Sequence, residues 1–258
     1  MKRFAVALTV LAVSLTAAPA GAEEVVLSGG VKGELHLVKE KTENVKVYSL
    51  TVKRGRVKET FKVYRVGKLY FAEPTAMVKE GKFFLPYPAG RVKTEVKPFS
   101  PEELSDFRRA YSSFVAAAGL REPDTGKPKL YVVFDPLCPY CERAVRSGEM
   151  KKLMASYDLR AVPFPVHGKL SERIAACLLK KAEEERAPFE KVVAEWFKDS
   201  PREKRELLNS CGQNLSKEEL ILRKLSRELR SLEITGTPTF IYSDGTISVG
   251  KPEAKDGR

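Results

Sequence analysis

The stretch Leu130-Tyr-Val-Val-Phe-Asp-Pro-Leu-Cys138-Pro139-Tyr140-Cys141 limits what the chain can become more than any other. Its apolar, β-branched start reads as a buried strand that breaks at Asp135-Pro136. The Cys-x-x-Cys then opens a helix, expected from Glu142 to about Ser156, so Cys138 stands at a helix N-terminus. Free N–H groups and the positive end of the helix dipole stabilise a thiolate there, and the thiolate is the species that attacks disulfides. Cys141 lies one helical turn on, placed to close a disulfide back onto Cys138. These are the parts of a thiol–disulfide exchange site.

Other uses of paired cysteines fit less well. A zinc site needs four ligands, commonly two such pairs, and the remaining cysteines, Cys177 and Cys211, are lone residues. Covalent haem attachment needs a histidine directly after the second cysteine, where Glu142 stands. A purely structural disulfide across so short a loop adds little entropic stabilisation. The expectation is a redox pair, with no metal and no cofactor.

Far downstream, Ile234-Thr-Gly-Thr-Pro238-Thr-Phe-Ile-Tyr sets a proline before an apolar strand. Its missing N–H is harmless there only at the first residue of the strand or on an edge. At this point the chain resembles the thioredoxin superfamily, in which a cis-proline after a Gly-Thr or similar pair packs against the Cys-x-x-Cys. The resemblance implies a cis bond before Pro238. It also implies that Thr237 and Pro238, with Pro139 and Tyr140, align an extended substrate segment across the cysteines.

The chain begins Met1-Lys2-Arg3, then runs apolar from Phe4 to about Ala18 and on to small residues at Ala18-Pro-Ala20 and Ala20-Gly-Ala22. That is the pattern of a secretory signal peptide, expected over residues 1–22, with cleavage after Ala20 or Ala22. Export places the chain where disulfides persist. Removing Lys2 and Arg3 with the leader lowers the formal charge from +12 to +10. The Lys and Arg are interleaved with Glu, as in Arg202-Glu-Lys-Arg-Glu, so they read as solvated, ion-paired faces with some attraction for acidic chains. No nucleic-acid motif accompanies them, and no nucleic-acid partner is expected.

Residues 23–97 differ in kind. Val45-Lys-Val47, Phe61-Lys-Val63-Tyr-Arg-Val and Lys68-Leu-Tyr-Phe are short, partly alternating runs. Turn signals separate them at Lys53-Arg-Gly55-Arg, Val66-Gly67-Lys and Lys79-Glu-Gly81-Lys. A small antiparallel β domain follows, whose marginal core would gain from pairing with a second copy. Its aromatics, Tyr48 to Tyr87, read as core, and His36 as a strand-face residue. Residues 98–128 form a linker. Ser100-Pro101-Glu102-Glu103 is a capped helix start, and Leu104, Phe107, Tyr111, Phe114 and Ala118 recur on one face up to Gly119.

The redox domain then occupies residues 129–258. A second strand is expected over Asp158–Val166, followed by His167 in a Pro/Gly-rich loop, an ordinary loop residue unless it meets a close partner such as the thiolate. A charged helical insert spans about 170–232, broken or restarted at Ala187-Pro188 and Ser200-Pro201, with Trp196 and Phe197 in its core. Cys177 and Cys211 fall in it and, in an exported protein, most simply pair with each other; such a loop contributes about 4 kcal/mol. Thr239-Phe-Ile-Tyr, the turn Ser243-Asp244-Gly245-Thr246 and Ile247-Ser-Val249 make a terminal hairpin.

Taken in order, these segments resemble the DsbC/DsbG type of periplasmic disulfide isomerase, on Val133-Phe-Asp-Pro-Leu-Cys-Pro-Tyr-Cys141, Pro163-Phe-Pro-Val-His-Gly168 and Gly236-Thr-Pro-Thr-Phe-Ile-Tyr-Ser-Asp-Gly-Thr246. The fold it implies mixes α+β and α/β. A C-terminal thioredoxin fold with a helical insertion is joined by a linker helix to a small N-terminal antiparallel β domain of the dimerisation type. Cys177 and Cys211 fall where DsbC carries its second, structural disulfide. The implied roles are Cys138 as nucleophile and Cys141 as resolving thiol. The implied partners are misfolded or misoxidised exported proteins, a DsbD-like membrane electron donor and a second copy in a homodimer with chaperone-like binding, all in the periplasm.

Two departures stand out. The family adds a helix after the hairpin where this chain runs Lys251-Pro-Glu-Ala-Lys-Asp-Gly-Arg258, and thioredoxin itself has a buried carboxylate six residues before its first cysteine, where Val132 stands here. An oxidase or a dedicated reductase, for instance in cytochrome maturation, is the alternative within the fold. A non-enzymatic holdase is the alternative outside enzymes, though binding alone needs neither the Cys-x-x-Cys nor Pro238.

Overall fold

The computed structural model describes residues 23–26, 32–42, 45–66, 69–72, 77–79, 82–84, 91–122, 125–212 and 214–252. The expected leader lies outside the described residues, as do Gly67-Lys68 and Glu80-Gly81 of two expected turns and the Pro86–Gly90 part of the connector. The chain forms two compact units, one up to Glu95 and one from Val96.

The first unit is β throughout its described part: β1 Glu23–Val26, β2 Lys32–Thr42, β3 Val45–Arg54, β4 Val57–Val66, β5 Leu69–Ala72, β6 Met77–Lys79, β7 Lys82–Phe84 and β8 Arg91–Val96. β1 to β5 lie side by side in chain order, β8 joins β4, and β6 and β7 form a separate hairpin. Gly55, with φ of 55°, opens the tight turn between β3 and β4. Cross-strand pairs Leu35–Leu50, Leu50–Phe61 and Tyr48–Val63 build its small core. Tyr48 is buried as expected of an aromatic here, whereas the side chains from Tyr70 to Tyr87 lie outside the described residues. His36 is an exposed strand-face residue 3.6 Å from Glu34.

The second unit contains α1 Pro101–Ala117, β9 Lys129–Phe134, α2 Pro139–Arg146, α3 Glu149–Ser156, β10 Asp158–Pro163, α4 Lys169–Glu185, α5 Phe189–Lys198, α6 Pro201–Ser210, α7 Ser216–Ser231, β11 Thr239–Tyr242 and β12 Ile247–Val249. Its sheet runs β10-β9-β11-β12, with β10 parallel to β9 and β11 antiparallel to both of its neighbours. The period of two along β9 sorts the core. Leu130 and Val132 pack with Phe240, Tyr242, Ala144 and Leu153 on one face, while Tyr131 and Val133 join the larger core on the other.

Helix α1 belongs to that larger core. Ser100 and Glu103 form the expected capping box, at 2.8 and 3.2 Å. Phe107 is fully buried, and the rings of Phe107 and Tyr111 stand edge-on to Tyr131 with centroids 5.0 and 4.9 Å away. The expected linker helix thus sets its apolar stripe into the core of the redox unit, Phe107 and Tyr111 against Tyr131 of β9 and Phe114 against Phe189 of α5.

Two boundaries differ from the sequence reading. The active-site helix begins at Pro139 and is interrupted at Ser147-Gly148, because Gly148 takes φ of 78°, a left-handed conformation no continuous helix holds. β10 stops at Pro163, three residues early. Pro163 and Pro165 bring no N–H to a ladder, and the N–H groups of Val166 and His167 go to a side chain instead.

Candidate active site

The end of β9 sets the first cysteine. Cys138 N donates to Asp135 O at 3.0 Å across a turn with Pro136 in its second position, and Leu137 N donates to Asp135 Oδ1 at 2.7 Å. Cys138 is the N-cap of α2 and Pro139 its first residue, where a missing N–H costs nothing. Trp196 Nε1, on α5, donates to Pro136 O at 2.9 Å and ties the turn to the helical insert.

Both thiols are buried, each 3 % exposed, and flanked in the chain by half-exposed Leu137 and Tyr140. The Cys138 thiol is pulled down to about 5, first by the hydrogen bond from the Cys141 thiol. Burial opposes this, and the Thr237 side chain and the N–H groups of Cys141 and Tyr140 add to it. The helix start therefore contributes, but behind the second cysteine. Cys141 is pushed far up, by burial first and then by its partner.

Thr237 and Pro238 close the site from the neighbouring strand, just before β11. The Thr237–Pro238 bond is cis, as the resemblance implied. Cys138 Sγ lies 3.3 Å from Thr237 O, and Pro238 O accepts from Gly250 N, which fixes the proline at the start of β11 beside β9. Pro238, Cys141 and Phe134 share the wall of a cavity of about 590 Å³ that runs under α2 and α3 over Val132 and Leu159. Tyr140 is exposed on the first turn of α2, its ring 5.3 Å from the Arg143 guanidinium.

Asp135 is the residue that sequence reasoning missed, read there only as a strand breaker. It is fully buried, and Oδ2 accepts from Val166 N at 2.6 Å and His167 N at 3.0 Å while also meeting His167 Nδ1 at 2.9 Å. Burial would push its carboxyl up. The hydrogen bonds from Leu137, His167 and Val166 outweigh that and hold it below the usual carboxylate range. His167 does have a close partner, and it is this carboxylate. An Asx turn in the Asp-Pro-Leu sequence was the available signal.

Cys177 and Cys211 are joined by a disulfide with Cα atoms 5.6 Å apart, linking α4 to the C-cap of α6. Among the described residues no cluster of three or more His, Cys, Asp or Glu could hold a metal ion, and no helix is long and apolar enough to cross a membrane.

A family model described as a thioredoxin-like domain matches residues 122–254. No curated protein matches the chain. Among solved structures, the chain is similar to the catalytic domain of Proteus mirabilis ScsC at 21% identity, covering 57% of this chain and 92% of that one, with a TM-score of 0.41. Helicobacter pylori DsbG is similar at 13% identity over 81% of this chain and 94% of that one, with a TM-score of 0.38. Oxidised Bacillus subtilis BdbD is similar at 18% identity over 52% and 85%, with a TM-score of 0.42.

Proposed function

From the premise that this chain belongs to the thioredoxin-like domain family, we propose that it is a periplasmic thiol:disulfide interchange protein that isomerises or reduces misoxidised exported proteins. The observation that carries the reading is the placement of Cys138, an N-cap thiol 3.3 Å from the Thr237 carbonyl and beside the cis-proline.

Cys138 thiolate attacks one sulfur of a substrate disulfide, forming a mixed disulfide and releasing the other sulfur as a thiolate. Attack by a second substrate thiolate on the mixed disulfide regenerates Cys138 and completes an isomerisation. Attack by Cys141 on Cys138 instead releases reduced substrate and leaves the Cys138–Cys141 disulfide, which two electrons from a donor must reopen. Burial, the first cause that raises the Cys141 thiol in the reduced pair, would also slow its attack on the mixed disulfide and leave that disulfide time to rearrange. That favours isomerisation over net reduction.

Thr237 and Pro238 would align an extended substrate strand, with Pro139 and Tyr140 on its other side. A DsbD-like membrane donor would keep Cys138 reduced, and a second copy would join through the N-terminal β unit, where Leu37 and Val38 are exposed. The cleft of such a dimer would give chaperone-like binding. The Cys177–Cys211 bridge is the structural staple.

One observation favours a second reading. A nucleophile held as a thiolate near pH 5 stabilises the reduced form, which makes the disulfide a better oxidant. Recovery of activity by a scrambled-disulfide test protein separates the two, with Cys138→Ser as control. Recovery that depends on Cys138 is expected. Absence of recovery, with rapid oxidation of a reduced peptide, would make the protein an oxidase.

A further inference from the structure

Beside Cys138, on the side of the helical insert, lies an open groove of about 390 Å³, within the size range of small ligand sites. Leu137, next to the nucleophile, and Leu170 form its apolar walls, 39 % and 55 % exposed. Trp196 and Leu208 line it more deeply, and Lys204 and Arg205 of α6 stand at its edge. Lys204 sits 5.0 Å from the Trp196 ring centre, and the Trp196 hydrogen bond to Pro136 fixes this wall relative to the nucleophile. Glu142, the carboxylate among these lining residues, is engaged by Arg146 at 2.9 Å. The groove is therefore apolar within and cationic at its mouth.

We propose that this groove is a side-chain subsite for the polypeptide substrate, taking an apolar residue near the attacked cysteine with an acidic residue beside it. The inference rests on the exchange reading above and adds a sequence preference to it. A chain whose sulfur reaches Cys138 passes Leu137, so a neighbouring side chain falls into the groove. There, burial against Leu170 and Leu208 rewards an apolar group, while Lys204 and Arg205 reward a carboxylate.

The test uses two short peptides, each with one cysteine in a mixed disulfide with a chromogenic thiol. The first has Leu and Glu beside the cysteine, the second Ser and Lys. Cys138 thiolate attacks the peptide sulfur, the peptide–Cys138 disulfide forms, and the chromogenic thiolate leaves and is read. The full chain is expected to prefer the first peptide by about fivefold, a ratio that falls with added salt. K204E/R205E is expected to bring the ratio to about one, whereas K151E/K152E, the same charge change on α3, leaves it within about twofold. Leu170→Ser, an exposed substitution that leaves the core intact, is expected to lower the ratio roughly threefold. A wild-type ratio near one, or equal collapse in both charge variants, overturns the subsite. Absence of thiol release from either peptide would instead sink the exchange reading beneath it.

Discussion

The thiol of Cys141 does more to hold the Cys138 thiolate than the helix N-terminus does, and that ordering is testable one residue at a time. Cys141→Ala removes the donor, so the Cys138 midpoint is expected to climb from about 5 toward the ordinary thiol range, while Cys141→Ser, which keeps a donor, moves it less. Thiolate ultraviolet absorbance against pH reads this, and an unmoved midpoint in the alanine variant would refute the ordering. The same displacement has a stability consequence. The folded Cys138 titrates below the unfolded one, so reduced protein gains stability from it as pH rises between about 5 and the ordinary value of 9.0, with nothing gained below 5. Cys141, pushed up in the fold, adds no slope until the unfolded thiol begins to ionise close to 9.0, where it opposes the gain. The melting-temperature gap between reduced protein and Cys138→Ala should widen with pH. Asp135 has a dependence of the same sign, set at more acid pH. Its depressed carboxyl stabilises the fold above the unfolded carboxylate value of 3.8, and that contribution is lost as pH falls below it. Asp135→Asn sets an amide against the N–H groups of Leu137, Val166 and His167, so it is expected to cost about 2–4 kcal/mol at neutral pH and to flatten the acid limb of the melting profile. The Cys-x-x-Cys was readable because cysteine is scarce in the chain and the spacing is informative, and Pro238 because it stands after Gly-Thr and directly before an apolar strand. Asp135 was not, since its partners Val166 and His167 stand 31 and 32 residues away and share no period with it.

Elements were readable where a local rule decided them and unreadable where packing did. Ser100 with Glu103 announced α1 correctly, because a capping box is satisfied within one turn. The Gly148 break and the early end of β10 depend on where the chain must go next, which hydrophobic period does not record. β10 also hides a charge that alternation alone would have made apolar. Arg160 is 1 % exposed, bonded through both terminal nitrogens to Asp158 and 3.0 Å from Glu122, which anchors the segment after α1 to the edge strand. Removing one partner of a buried cluster strands the others, so Arg160→Met is expected to cost about 3–5 kcal/mol, whereas Arg160→Met with Asp158→Leu should recover part of it. Denaturant unfolding of both variants decides this; a double variant as weak as the single would mean that packing volume, not stranded charge, sets the cost.

At the scale of the whole molecule, the chain divides into two compact units between Glu95 and Val96. Among the described residues, both cores that bury the redox sheet and the groups that hold the Cys138 thiolate come from Val96 onward. Helix α1 is part of that unit, so a fragment beginning at Val96 keeps the stripe of Leu104, Phe107, Tyr111 and Phe114 that a cut after the helix would lose. Such a fragment is expected to fold alone, with an unfolding midpoint close to that of the corresponding transition in the full chain, and to exchange disulfides with a short peptide at a rate within about twofold of it. Rearranging a misfolded protein demands more, because the substrate must stay bound while its sulfurs trade partners. If the N-terminal β unit joins two copies, the fragment sediments as a monomer, the full chain as a dimer, and recovery of a scrambled protein falls by roughly tenfold or more in the fragment, the loss expected when linked sites no longer act together. A monomeric full chain with undiminished recovery would place all of the activity in the redox unit and leave the β unit without a part in it.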